Sequence, residues 1–146
     1  MSEKTLDKKI SGAGLRGQSA GETSLCTVGQ SGSGLTYCGY DVADLAENST
    51  FEEVAYLLFN GELPNQAQLD AYKSELKAMR DLPVAVKSAL KLIPKDAHPM
   101  DVMRTGCSIL GNIEPENDFS EQNKAANRLL AAFPAIMCFW YKYSHD

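Results

Sequence analysis

The chain has 146 residues, of which 44% are hydrophobic and 23% charged, the make-up of one soluble globular unit long enough to bury a core. A formal net charge of −5, with arginines scattered at Arg16, Arg80, Arg104 and Arg128, excludes a nucleic-acid binder, which needs clustered cations to meet phosphates. The longest apolar run, Leu129 to Tyr141 broken by Pro134, is too short to span a bilayer, and Met1 to Glu22 has no apolar signal core.

Residues 1–22 are polar and Gly-rich and read as a flexible N-terminal arm; residues 23–146 read as one unit. Ser24 to Val28 and Leu35 to Cys38 are short β-prone runs separated by Gly29-Gln-Ser-Gly-Ser-Gly34, which predicts a small hairpin. Asp41 to Asn48 suits a short helix, and everything after it reads as helix. The fold class is therefore mainly α, multi-helical, with a small N-terminal β-hairpin. Thr50 and Glu53 form a capping box, in which the hydroxyl and the carboxylate each satisfy a backbone N–H; Ser49 and Glu52 offer the same pattern one residue earlier. Phe51, Val54, Ala55 and Leu58 share the apolar face that follows. Gly61 supplies a left-handed stop and Pro64 prevents continuation.

The next helix spans Asn65 to Arg80, with Leu69, Tyr72, Leu76 and Met79 as its buried stripe and Lys73 and Lys77 outside. Val84 to Leu92 is shorter and closes at Pro94. Pro99 opens another helix, since its missing N–H costs nothing at the first position, and Met100, Met103, Cys107 and Leu110 share a face. The last helix starts near Ser120 and runs past Trp140. Its second half is apolar almost all round, through Leu129, Leu130, Phe133, Ile136, Met137, Phe139 and Trp140. Such a helix has to be surrounded by protein. The other helices are short and too few for that, which predicts a partner surface beyond these residues.

No motif in the chain assigns a catalytic, cofactor-binding or metal-ligating residue. Gly12-Ala-Gly-Leu-Arg-Gly17 matches G-x-G-x-x-G literally, but Leu6 to Ile10 is a poor buried strand and Gln18 to Gly21 a poor helix start. Gly29 to Gly34 lacks the Gly-Lys-Ser/Thr of a phosphate loop and reads as a hairpin turn. Cys26, Cys38, Cys107 and Cys138 form no C-x-x-C pair and read as free buried thiols. His98 precedes Pro99, a position for capping the helix or ordering its start, and His145 is one residue from the end; neither has a Ser or Cys and an orienting carboxylate in a recognisable triad arrangement. Glu52/Glu53 and Glu114/Glu116 read as capping and as a solvated loop. Arg104 reads as an ion pair at a packed helix interface; a clamp for a carboxylate or phosphate is the alternative. Gly106, Cys107, Ser108 and Gly111 are small enough for a second helix to approach closely.

Several phrases occur together and in order: Tyr37-x-Gly39-Tyr40-Asp41-x-x-x-Leu45, Phe51-Glu-Glu-Val-Ala-x-Leu-Leu58, Gly61-x-Leu-Pro64 and His98-Pro-Met100. In these the chain, from about Ala20 to His145, resembles the citrate synthase family. The longer phrases His98-Pro-Met-Asp-Val-Met-Arg-Thr-Gly106 and Trp140-Tyr-Lys-Tyr-Ser-His145 resemble its methylcitrate branch. Cys38 departs from the pattern, since relatives commonly carry Arg between the Tyr and the Gly.

The resemblance implies an acyltransferase of propionate catabolism that condenses propionyl-CoA with oxaloacetate to give 2-methylcitrate and CoA. The alternatives are a citrate synthase using acetyl-CoA, and a non-catalytic helical module for dimerisation or binding. It implies a mostly helical, cytoplasmic homodimer with residues 23–146 as the N-terminal, incomplete part of the large domain and the 99–111 and 120–143 helices at the dimer interface. It implies no metal or organic cofactor, acyl-CoA being a substrate. In that family an Asp takes the α-proton of the thioester while His side chains stabilise the oxygen charge. Those motifs fall after Asp146, so this segment is expected to be inactive alone, with catalytic residues: none.

Overall fold

The computed structural model describes residues 21–29 and 34–146. The Gly12–Gly17 motif, most of the 1–22 arm and the middle of the Gly29–Gly34 loop lie outside the described residues.

The N-terminal sheet has three antiparallel strands in sequence order, β1 (Cys26–Val28), β2 (Leu35–Tyr37) and β3 (Tyr40–Asp41). The expected hairpin is β1–β2, with Thr27 opposite Thr36 and their hydroxyls hydrogen-bonded. The third strand was not expected. It follows a two-residue turn, Cys38 and Gly39, whose φ angles are both positive, at 47° and 89°. Turns of that hand match the twist of the flanking strands. Gly adopts the conformation freely and Cys does so rarely, so Cys-Gly carries little turn signal in sequence.

Helix α1 (Val42–Asn48) starts directly from the sheet. Asp41 ends β3 and also caps α1, its Oδ1 accepting the Ala43 N–H at 2.8 Å. Helix α2 (Phe51–Asn60) is capped by the Thr50/Glu53 box; Ser49 instead closes α1. Gly61, at φ 80°, ends α2 as expected. The buried positions of α2 are Ala55 and Leu57, whereas Phe51 is 64% exposed. Of the expected face, Ala55 is buried and Val54 and Leu58 are half-buried; Val54 through Leu58 are all apolar or aromatic, so periodicity alone did not single out Leu57.

Helix α3 (Gln66–Ala78) is capped by Asn65, with Gln68 completing a second capping box, and it buries Leu69, Tyr72 and Leu76. Helix α4 (Val84–Leu90) is shorter than expected; it buries Val86 and Leu90 and leaves Leu92 outside the helix and exposed. Helix α5 (Pro99–Ile113) has Pro99 in its first turn. Its core face is Val102, Gly106 and Leu110, while Met100 is 67% exposed and Met103 and Cys107 are half-buried. Of the expected face Met100, Met103, Cys107 and Leu110, only Leu110 is fully buried; Gly106, having no side chain, adds nothing to an apolar pattern, so the sequence did not mark the true core face.

A short 3₁₀ turn (Phe119–Glu121) leads into helix α6 (Gln122–His145), which organises the rest. On one side Ala132, Ile136 and Trp140 join Leu82, Val86, Leu90, Val102 and Leu110 from the α4 and α5 region. On another side Ala131 joins Ala55, Tyr72 and Leu76 from α2 and α3. The adjacent residues Ala131 and Ala132 thus belong to different clusters, which explains why α6 is apolar around so much of its circumference. Tyr72 also donates its hydroxyl to Asn127 Oδ1 at 2.9 Å, and its ring meets Tyr56 edge-on. Trp140 is 3% exposed, and its ring meets His145 edge-on with centroids 5.8 Å apart.

Candidate functional site

Among the described residues, Arg128 joins the carboxylate of Glu114 and the carbonyl of Met79 in one polar centre. Its place on α6 carries the guanidinium to the C-terminal ends of α5 and α3. Nε donates to Glu114 Oε2 at 2.8 Å and Nη2 donates to Glu114 Oε1 at 2.9 Å. Nη1 donates to the Met79 carbonyl. A planar fork of this kind matches a carboxylate with both arms, which Lys could not do. The hydrogen bonds from Arg128 hold the Glu114 carboxyl below the ordinary carboxylate range, and the same bonds hold Arg128 charged. Glu114 is therefore not the free loop carboxylate expected from the sequence. The two partners lie 14 positions apart on different elements, and no local pattern joins them.

A cleft of about 390 Å³ opens beside this pair, bordered by Glu114, Glu116, Glu121, Lys124 and Arg128. Arg128 already spends its fork on Glu114 and its remaining arm on Met79, so the bonds are structural ones that tie three helices together.

Each other candidate has a local role. His98 caps α5, its Nδ1 accepting the Met100 N–H at 3.2 Å, as expected of a residue before Pro99. His145 contacts Ser144 Oγ and the Tyr141 carbonyl, and its ring stacks on Tyr141 with centroids 4.2 Å apart. Glu53 accepts from both the backbone N–H and the hydroxyl of Thr50, which lowers its pKa. Arg104 pairs with Asp101 at 3.0 Å, but its side chain is 76% exposed, so the pair lies on the outer face of α5 rather than in packed structure. Exposed pairs of that kind contribute little stability. The four cysteines are free, but none is buried: three are half-buried and Cys138 is exposed.

The second feature is apolar. Pro134, Cys138 and Tyr141 lie exposed along one flank of α6. With Phe51, Leu76 and Leu130, Pro134 and Cys138 border a groove of about 410 Å³ between α2, α3 and α6. Pro134 has no N–H, so the Leu130 carbonyl on that flank lacks its helical donor. The two side-chain clusters cover two sides of α6 and leave this one open. Among the described residues no polar or charged side chain is buried, and no group of three or more His, Cys, Asp and Glu side chains could hold a metal ion. No described helix is long and apolar enough to cross a membrane.

Comparison with known proteins places this arrangement. Residues 14–146 match the family model described as citrate synthase, C-terminal domain. The chain is 72% identical over 139 residues to the 2-methylcitrate synthase of Shewanella oneidensis, a match covering 95% of this chain and 37% of that protein. It is 41% identical over 127 residues to 2-methylcitrate synthase 2 of Corynebacterium glutamicum, covering 85% of this chain and 33% of that one. Among solved structures, the citrate synthase from Thermotoga maritima superposes with a TM-score of 0.79 at 34% identity, over 90% of this chain and 34% of that chain. The chain thus spans about a third of the length of the relatives it matches.

Proposed function

The chain belongs to the citrate synthase family, and from that premise we propose that its 146 residues form part of a 2-methylcitrate synthase. The reaction joins the α-carbon of propionyl-CoA to the carbonyl carbon of oxaloacetate. Hydrolysis of the thioester then gives 2-methylcitrate and free CoA. The 72% identity with the Shewanella oneidensis enzyme is the observation that carries this reading. The reading places the protein in the cytoplasm, in propionate catabolism. The reaction as proposed uses acyl-CoA as a substrate and needs no metal or organic cofactor.

The rival within the family is a citrate synthase acting on acetyl-CoA. The two thioesters differ by one methylene, worth about 1–3 kcal/mol in an apolar pocket, or roughly tenfold to two-hundredfold in kcat/KM. Thiol release from each thioester, with oxaloacetate present, by the complete protein carrying this sequence decides between them. The proposal expects kcat/KM to favour propionyl-CoA by about that factor. A preference for acetyl-CoA overturns it in favour of citrate synthase.

Within the complete protein we assign these residues to the large domain as scaffold rather than reaction centre. His98 is engaged in a helix cap, His145 in the final turn of α6, and Arg128 in joining three helices. The proposed assembly is a homodimer through the 99–111 and 120–143 helices. The exposed side chains of Met100 on α5 and Tyr141 on α6 support that surface.

A further inference from the structure

We draw no further inference here: the strongest candidate, the apolar groove between α2, α3 and α6 bordered by Phe51, Leu130, Pro134 and Cys138, is an unpartnered face, and nothing in the structure shows what covers it.

Discussion

A β-carbon placed on Gly106 would lie 2.7 Å from Cγ2 of Ile136 and 3.0 Å from its Cδ1. The backbone of α5 therefore rests directly on a side chain of α6. Ile136 is fully buried and branched at Cβ, so the crowded methyl cannot swing away. The main packing between these two helices depends on Gly106 having no side chain.

Gly106→Ala tests this contact. Alanine gains about 1 kcal/mol of helix propensity, while overpacking costs about 1–3 kcal/mol. The expected net effect is a loss of about 1 kcal/mol. In an Ile136→Ala background the clash is absent, and the same substitution should stabilise by about 1 kcal/mol. Urea denaturation of the four proteins measures the coupling. An equal effect of Gly106→Ala in both backgrounds would show that Ile136 is not the obstacle.

Arg128→Ala should cost about 2 kcal/mol at neutral pH, because it removes charge-assisted bonds and strands Glu114 and the Met79 carbonyl. Arg128→Lys should recover only part of that, since an ammonium cannot reproduce the fork. A full recovery in thermal melts would mean that charge alone matters.

The pH dependence follows from Glu114. Its folded pKa lies below the ordinary value of 4.5, so its contribution is complete above that ordinary value. It is lost as pH falls through the lowered one. Glu114→Gln should therefore be less stable than the parent at neutral pH, by about 1 kcal/mol for a partly exposed pair. The gap should close in acid. Glu53, Asp81 and Asp118 are also held low and titrate in both proteins, so the comparison isolates Glu114. A gap that persists unchanged through the acid limb would contradict the account.

His98 is assigned to capping, and its variants distinguish that from chemistry. His98→Asn preserves a side-chain acceptor for the Met100 N–H and should keep the stability of the parent. His98→Ala should lose about 1 kcal/mol. If both lose the same amount, the cap bond is not what the residue supplies.

The proposed dimer surface includes Met100, which is 67% exposed on α5. A buried charge there should weaken association at least tenfold, equivalent to about 1.4 kcal/mol. Sedimentation of the parent and of Met100→Glu, with circular dichroism to confirm equal helicity, reads this directly. A parent that sediments as a monomer, or a variant that associates as tightly, counts against the surface.

Local chemistry was legible in the sequence wherever one short segment carried the whole signal. The Thr50/Glu53 box, the Gly61 stop, the Pro99 start and the His98 cap all depend on residues within four positions of one another, and all four are present. Features that depend on distant partners were not legible. The Arg128–Glu114 fork needs α5 and α6 to be docked first. The core face of α5 passes through Gly106, which hydropathy cannot mark as buried. Strand β3 has two residues and follows Cys38 in a left-handed conformation, so neither period nor turn residue announced it. The surplus apolar surface of α6 was visible in advance, but not that two separate clusters would absorb most of it.

The most direct test of the scaffold assignment is thiol release from propionyl-CoA and oxaloacetate by the purified 146-residue chain, beside the complete protein in the same assay. The account predicts turnover by the complete protein and none by the chain, even where the chain is helical and melts cooperatively. Turnover by the 146 residues alone would place catalytic groups among them and contradict the structural roles of His98, His145 and Arg128.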